Sequence, residues 1–446
     1  MTSRVRIAAA ALTVAVLSLA ACSSDNTGSK NTVAPAATSA TTGGGSGGTA
    51  TTSGSSPSAV TRPASTGPAD NSLSPVVVGV DNLESSAASF KSTRIGFQQG
   101  AQYVNEQLGG INGHPLKADV CKVDLAPASS VTCANNWVQN KVVANVQGVN
   151  PNAPSLLPIL QGAGISIIVP APQNAQFNSA VGEAFSVLPS AFEYYVDTLV
   201  AMKNEGLKKV ALVSPLEQPG VQEYVDLGKA VGSKLGLDIT VVTLPQVVND
   251  YTAFAATVLA SSPEGVVVPT AADSICDGLL PAIRKNGFQG PVFLSACTHF
   301  AQILPPEQVN NAMAFVTAWL PAIAEAAPAD IKADVDIFTE YMAKQSEIKE
   351  SEYDIAWYGF FTAVTAADML RQVNGDVTAA SVKAELPKVK GRIFLNGLPY
   401  DCSGTAWPNT TACSKGVQVL KWGADGKAAL TSWSPVDPTA YYDLAK

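Results

Sequence analysis

Val76-Val77-Val78-Gly79-Val80 is an unbroken apolar, β-branched run. Ser92 to Leu108 follows with helical periodicity, and Gly109-Gly110-Ile111-Asn112-Gly113 closes it. The first run reads as a strand buried on both faces. Ser92 suits a helix cap and the glycine pair suits a stop. Leu116–Val123 reads as the next strand and Pro127–Gln139 as the next helix, followed by strands at Val142–Val146 and Ile165–Val169 with a helix between. The rhythm repeats further on. Strands are expected at Lys209–Ser214, Ile239–Leu244, Gly265–Pro269 and Val292–Ala296, with helices near Val221–Leu235, Tyr251–Ala260 and Ser274–Asn286 between them. Continuous apolar strands alternating with helices predict parallel sheets covered on both faces. Two such series predict an α/β protein of two doubly wound lobes. After Ala314-Phe315-Val316 the pattern changes to two long helices, about Ala329–Lys344 and Glu352–Val373. A Gly/Pro-rich stretch from Gly397 to Pro408 and a last strand at Val417–Trp422 complete the chain's pattern.

Working outward to the N-terminus, Arg4 and Arg6 precede an apolar run from Ile7 to Leu19, then Ala20-Ala21-Cys22. Charge, apolar core and small residues in that order are the mark of an export signal. The run is shorter than the ~20 residues of a transmembrane helix. Cys after Leu-Ala-Ala resembles the lipobox of bacterial lipoproteins. That resemblance implies cleavage of residues 1–21, a lipid on Cys22, and a mature protein tethered to the extracytoplasmic face of the cell membrane. Residues 22–74 are rich in Ser, Thr, Gly, Ala and Pro and include Gly43-Gly44-Gly45-Ser46-Gly47-Gly48. Such a segment cannot bury enough apolar surface to offset chain entropy, so a disordered linker is expected. A flexible chain of this length has an end-to-end distance of roughly 40 Å.

The folded remainder suits two domains. The 446-residue chain is 46% hydrophobic and 14% charged, ample for sizeable cores, and its net charge of −8 with no Lys/Arg cluster argues against nucleic-acid binding. Six cysteines follow Cys22: Cys121, Cys133, Cys276, Cys297, Cys402 and Cys413. An even number in an exported chain reads as disulfides. Fifteen pairings are possible, and the sequence-local set Cys121–Cys133, Cys276–Cys297 and Cys402–Cys413 is preferred. Each closes a short loop, worth about 3 kcal/mol in the chain-entropy model. Metal binding is disfavoured, because there is no Cys-x-x-Cys and the only histidines are His114 and His299. Catalysis is disfavoured too. No Gly-x-Ser-x-Gly elbow, P-loop or His-Glu-x-x-His occurs, and no cofactor motif is present.

Several local features resemble the type I periplasmic substrate-binding proteins, specifically the branched-chain amino-acid-binding family of ABC importers. They are Val78-Gly79-Val80; Gly100-Ala101 and Val104-Asn105 leading into Gly109-Gly110-Ile111-Asn112-Gly113; Val146-Gln147-Gly148; Ile165-Ser166-Ile167-Ile168-Val169-Pro170; Gly287-Phe288-x-Gly290-Pro291; and Tyr353-Asp354 opening a long helix. The resemblance spans Pro75 to Lys446. It implies two lobes joined by three crossings, near Pro189, near Ala318 and near Leu398–Gly404, with a ligand cleft between. On that basis lobe one takes residues 75–189 and 319–398, and lobe two takes 190–318 and 399–446. It also implies a monomer that captures a small molecule and passes it to an ABC permease. A lipid-anchored ligand sensor or envelope interaction protein of the same fold is the alternative.

Open α/β sheets bind ligands beyond the carboxyl ends of their strands. Those ends offer Ser85 and Ser86, Asn150 and Asn152, and Ala171 and Gln173 in lobe one. In lobe two they offer Gln218, Asp273 and the Cys297-Thr298-His299 stretch. The resemblance adds Tyr353, whose counterpart brings an aromatic to the cleft. Asn150, Asn152 and Asn174 are equally readable as caps of helices or turns. Gln173 also suits a plain loop position, Asp273 a helix N-cap, Trp357 the core, and His299 the surface. Departures from the family pattern bear on the ligand. Gln173 stands where Thr is usual, beside Pro172, which has no N–H to donate. Asn150-Pro151-Asn152 replaces a Ser-rich loop, Pro219 replaces an aromatic, and Cys297 aligns with the acidic residue that meets a ligand ammonium. Asp273 is the only nearby acidic substitute. These departures imply a neutral or weakly charged polar ligand with an apolar or aromatic part, in preference to leucine, isoleucine or valine.

Overall fold

The computed structural model describes residues 66–85, 89–172, 175–215, 221–245, 248–269, 273–349, 353–436 and 439. The signal, Cys22, most of the linker, Ser86, Gln173, Asn174 and Gln218 lie outside the described residues.

Lobe one is built on a five-stranded parallel sheet of β1 (Val76–Leu83), β2 (Leu116–Val123), β3 (Ala144–Val146), β4 (Ser166–Val169) and β5 (Ala184–Ser186), in the order β2-β1-β3-β4-β5. The inner strands β3 and β4 and the edge strand β5 are buried along their whole length. β2, at an edge, exposes Lys117 and Lys122. Lobe two holds β6 (Lys209–Pro215), β7 (Asp238–Leu244), β8 (Gly265–Val267), β9 (Val292–Phe293) and β10 (Ala312–Val316), which pair in parallel. The short hairpin of β11 (Lys390–Arg392) and β12 (Pro399–Asp401) stands apart as its own two-stranded sheet. β13 (Gln418–Trp422) and β14 (Ala428–Leu430) then extend the lobe-two sheet antiparallel, giving the order β14-β13-β10-β9-β8-β6-β7.

The two long C-terminal helices return to lobe one. Helix 353–371 lies against helix 91–107, where Gly96, Gly100 and Gly359 let the backbones approach closely. The turn after helix 91–107 depends on Gly110, which has φ 64° and sits against the His114 carbonyl, with room for no side chain.

The segments running between the lobes are laced together. Asn396 Nδ2 donates to the carbonyls of Val316 (3.0 Å) and Thr317 (3.1 Å). Trp319 donates its backbone N–H to Leu395 O (2.7 Å) and its indole N–H to Gln418 Oε1 (2.8 Å). A buried ion pair, Arg392 Nη1 to Asp334 Oδ2 at 2.7 Å, anchors the same loop. Where two stretches of connecting chain must share a dry core, their backbone polar groups need partners, and these side chains supply them.

Three features differ from the sequence reading. Residues 66–74, given to the linker by composition, are hydrogen-bonded to lobe one. Thr66 N donates to Gln107 O and Ala69 N to Asn105 O, which satisfies carbonyls at the end of helix 91–107. Residues 399–413, grouped above with lobe two, carry β12 and then Ala412, which bridges Ser186 on the free edge of β5. This loop covers an otherwise open sheet edge. Helix 191–204, absent from the pattern reading, is set by a capping box in which Ser190 and Glu193 exchange hydrogen bonds.

The structure contains the disulfides Cys121–Cys133, Cys276–Cys297 and Cys402–Cys413. Adjacent parallel β8 and β9 bring Cys276, at the start of helix 273–285, within 6.5 Å (Cα–Cα) of Cys297.

Candidate functional site

Strand order reverses direction at β1 in lobe one and at β6 in lobe two, and these switch points open crevices at the strands' carboxyl ends. In lobe one, Asp81 and Asn82 lie just before the end of β1, both fully buried. The register places Asn145 of β3 beside Gly79. From there its Nδ2 reaches both Gly79 O (3.1 Å) and Asp81 Oδ1 (3.0 Å). The other Asp81 oxygen accepts from Asn150 Nδ2 at 2.8 Å. Burial pushes the Asp81 carboxyl above its ordinary pKa, and the two amide donors offset part of that effect.

Asn150 therefore stands between the two readings given above. Its Nδ2 is engaged with Asp81, and its Oδ1 accepts from Ser130 Oγ (3.2 Å) and from the backbone N–H of Asn152 (2.9 Å). It fixes the loop after β3 to the end of β1. Asn152 turns outward and donates to Leu125 O at 3.0 Å. Asn82 ties the same two loops from the other side. It donates to Phe90 O (2.8 Å) and Glu84 Oε1 (3.1 Å). Glu84 is held in turn by Arg94 at 2.7 Å and Lys122 at 3.2 Å. Burial raises the Glu84 pKa most, but the bonds from Arg94, Asn82 and Lys122 together leave it lowered. Ser85 is half-buried just beyond.

Ala171, at the end of β4, is buried, and its backbone N–H bonds to the hydroxyl of Tyr358. Tyr353 opens helix 353–371, and one turn later the helix presents a cluster of rings. Trp357 lies 5.4 Å from Phe361 and 5.5 Å from Tyr358, and Tyr358 lies 5.8 Å from Phe361 (centroid distances). Trp357 and Tyr358 remain half-buried. The Tyr358 pKa is raised, first by burial and then by the nearby Asp81 carboxylate.

In lobe two, Asp273 is half-buried at the first position of helix 273–285. Its neighbour Asp277 bonds His299 Nδ1 at 2.7 Å, so the His299 stretch belongs to this helix face. Tyr194, near the start of helix 191–204, is half-buried. Its ring packs on Phe315 at 5.0 Å. Its pKa is raised by burial, then by Asp197 and Glu193, and also by Tyr358 of lobe one.

Sequence reasoning passed over Tyr194, Tyr358 and Asp81. Asp81 follows an all-apolar strand, where a buried acid has no periodic signal. Trp357-Tyr358-Gly359-Phe360-Phe361 reads as a core helix, and nothing in its pattern marks Trp357 and Tyr358 as the half-buried members. Tyr194 carries no mark beyond following the first crossing.

Comparison with known proteins follows the geometry. The family model described as "Periplasmic binding protein" matches residues 76–420. No curated protein matches the chain. Among solved structures, an ABC transporter substrate binding protein from Aeropyrum pernix is similar at 16% identity, TM-score 0.64, covering 83% of this chain and 99% of its own. A fatty acid ABC transporter substrate-binding protein from Thermomonospora curvata is similar at 16% identity, TM-score 0.61, with 86% and 96% covered. A leucine binding protein from Thermotoga maritima is similar at 18% identity, TM-score 0.57, with 80% and 98% covered.

Proposed function

The chain belongs to the periplasmic binding protein family, and from that premise we propose that it is a lipid-anchored extracytoplasmic receptor that holds a small solute between its lobes and delivers it to an ABC permease. The observation that carries the reading is that each lobe has half-buried aromatic rings near the carboxyl ends of its parallel strands, Trp357 and Tyr358 in lobe one and Tyr194, packed on Phe315 of β10, in lobe two. Half-buried aromatic faces beside polar loop residues suit a ligand that is part apolar and part polar. Ser85, Ala171, Asn152, Asp273 and Tyr353, with Ser86, Gln173 and Gln218, stand as the surrounding contact positions. Asn150 supports them from behind.

A thermal-shift screen of the purified protein against a metabolite library tests the binding role, because a true ligand raises stability by RT ln(1 + [L]/Kd). Calorimetry with leucine, isoleucine and valine is expected to show no binding at micromolar or tighter affinity, since Cys297 occupies the usual acidic position. Micromolar binding of any of the three would reject this and make Asp273 the ammonium partner. For the ligand that does bind, Tyr353→Ala is expected to cost about 1–3 kcal/mol of affinity.

The anchor has its own test. In fractionated cells Cys22→Ser is expected to leave the membrane fraction. A variant as membrane-bound as the parent would rule out lipidation at Cys22.

A further inference from the structure

The loop closed by the Cys402–Cys413 disulfide is built into both lobes at once. We propose that this loop is a strap across the hinge, which limits how far the two lobes part. Such a strap acts on the lobes themselves, whatever solute the cleft takes.

The base of the loop is fixed to lobe one. Both cysteines are buried, with their Cα atoms 4.2 Å apart. On one limb Cys402 donates its backbone N–H to Val389 O at 3.0 Å, next to the β11–β12 hairpin. That hairpin is held to helix 353–371, where the Lys390 N–H donates to Gln372 Oε1 (3.0 Å) and the Tyr400 hydroxyl to Asp368 Oδ2 (2.5 Å). On the other limb residues 411–413 run along the edge of β5. Ser186 N–H donates to Thr411 O (2.7 Å), Cys413 N–H donates to Ser186 O (2.8 Å), and Thr411 N–H donates to Asn178 O (3.0 Å). The disulfide joins these limbs.

The tip of the loop belongs to lobe two. Trp407 is 5% exposed and lies in the buried cluster of that lobe with Tyr195, Leu199, Val210 and Val419. Ala412 enters the same cluster, although its bridge partner is Ser186 of lobe one. Thr410 closes the turn between them, its hydroxyl donating to Trp407 O at 2.8 Å. The four residues from Trp407 to Thr411 span at most about 14 Å fully extended, and the turn leaves them shorter.

Hinges turn through φ/ψ changes in a few connecting residues. A rotation that carried lobe two away from β5 would have to draw Trp407 out of its core or peel Thr411 and Cys413 from Ser186. The first exposes apolar surface and the second leaves backbone groups unpaired, and each costs free energy. Slack would come only from one limb swinging free, and the disulfide prevents that.

The test compares hydrogen exchange in the full-length protein and three variants. Cys402→Ala/Cys413→Ala opens the loop. Trp407→Leu keeps the disulfide and loosens the tip. Cys121→Ala/Cys133→Ala, the control, opens a loop of similar span inside lobe one, with a sequence separation of 12 against 11. The readout is the backbone at residues 317–320, between the lobes, where the Trp319 N–H bonds Leu395 O at 2.7 Å. Amides there are expected to exchange about tenfold faster in both strap variants and at the parent rate in the control. A loop that only covers the edge of β5 would speed exchange at residues 178–190 and within itself, and leave residues 317–320 unchanged. That result overturns the strap, as does an equal gain at residues 317–320 in the control. If the opened loop prevents folding, Trp407→Leu alone decides between the same outcomes.

Discussion

Gly359→Val is expected to destabilise the protein by ~3 kcal/mol or more, a large part of the 5–15 kcal/mol that holds a typical domain folded. A Cβ at Gly359 would lie 1.8 Å from Thr93 O and 2.6 Å from the Phe97 backbone nitrogen. On the partner helix a Cβ at Gly96 would lie 1.8 Å from Ala356 O. The obstacle in each case is helix backbone, which cannot rotate aside as a side chain can. Helices 91–107 and 353–371 would have to separate, pulling apart the cluster of Tyr103, Tyr341, Phe360 and Phe394 that lies alongside. Urea unfolding followed by circular dichroism checks the expectation, with the loss seen in the midpoint at constant slope. Gly162→Ala is the control, since nothing lies within 4 Å of a Cβ there. A Gly359→Val midpoint equal to the control's would show that the helices pack less closely than described.

Glu193→Gln is expected to stabilise the protein at pH 8 by up to about 3 kcal/mol and to change it little at pH 4. Burial is the main cause of the raised Glu193 pKa, from 4.5 to about 7, and bonds from Ser190 and Thr410 oppose it only in part. Between those values the folded protein holds a proton that the unfolded chain has released. Its contribution to stability is therefore fully present below pH 4.5 and is lost as pH rises through about 7. The interval corresponds to about 3 kcal/mol at 1.36 kcal/mol per pH unit. Glutamine can accept the same Ser190 N–H bond, so the capping box survives. Asp81 and Asp368 are also raised by burial and shift parent and variant alike. The informative quantity is thus the difference between the two unfolding profiles from pH 4 to 8. Parallel profiles would place the Glu193 pKa near its ordinary value.

The composition and the periodicity of this chain determined its class by themselves. Val76–Val80, Ile165–Val169 and Val210–Val213 are short, largely β-branched apolar runs that end up buried, and they alternate with helices. Only parallel sheets with both faces covered bury such a pattern. The sequence-local disulfides were legible for a related reason, because cysteines 11 to 21 residues apart can meet wherever consecutive elements lie side by side. Cys276 and Cys297 do so in the segments that follow the adjacent strands β8 and β9. The short β5, β11, β12 and β14, at three residues each, are too brief to show a period. Helix 191–204 was missed although Ser190 and Glu193 carry its capping signal.

Tertiary structure alone decided which polar residues face one another. Asn150 looked like an amide offered to a ligand, yet it sits where the loop after β3 meets the end of β1, and the buried Asp81 carboxylate takes its donor. Asp81 itself is compatible with a dry strand end only because Asn145 and Asn150 arrive from other parts of the chain, 64 and 69 residues away. Tyr194 and Tyr358 come to the carboxyl ends of the two sheets only once helix 353–371 has returned to lobe one and helix 191–204 has stayed in lobe two. Local propensity acts over a few residues and fixes the elements. A binding cleft is made of groups brought together over hundreds of residues, and the free energy that assembles it comes from packing, which no local pattern records.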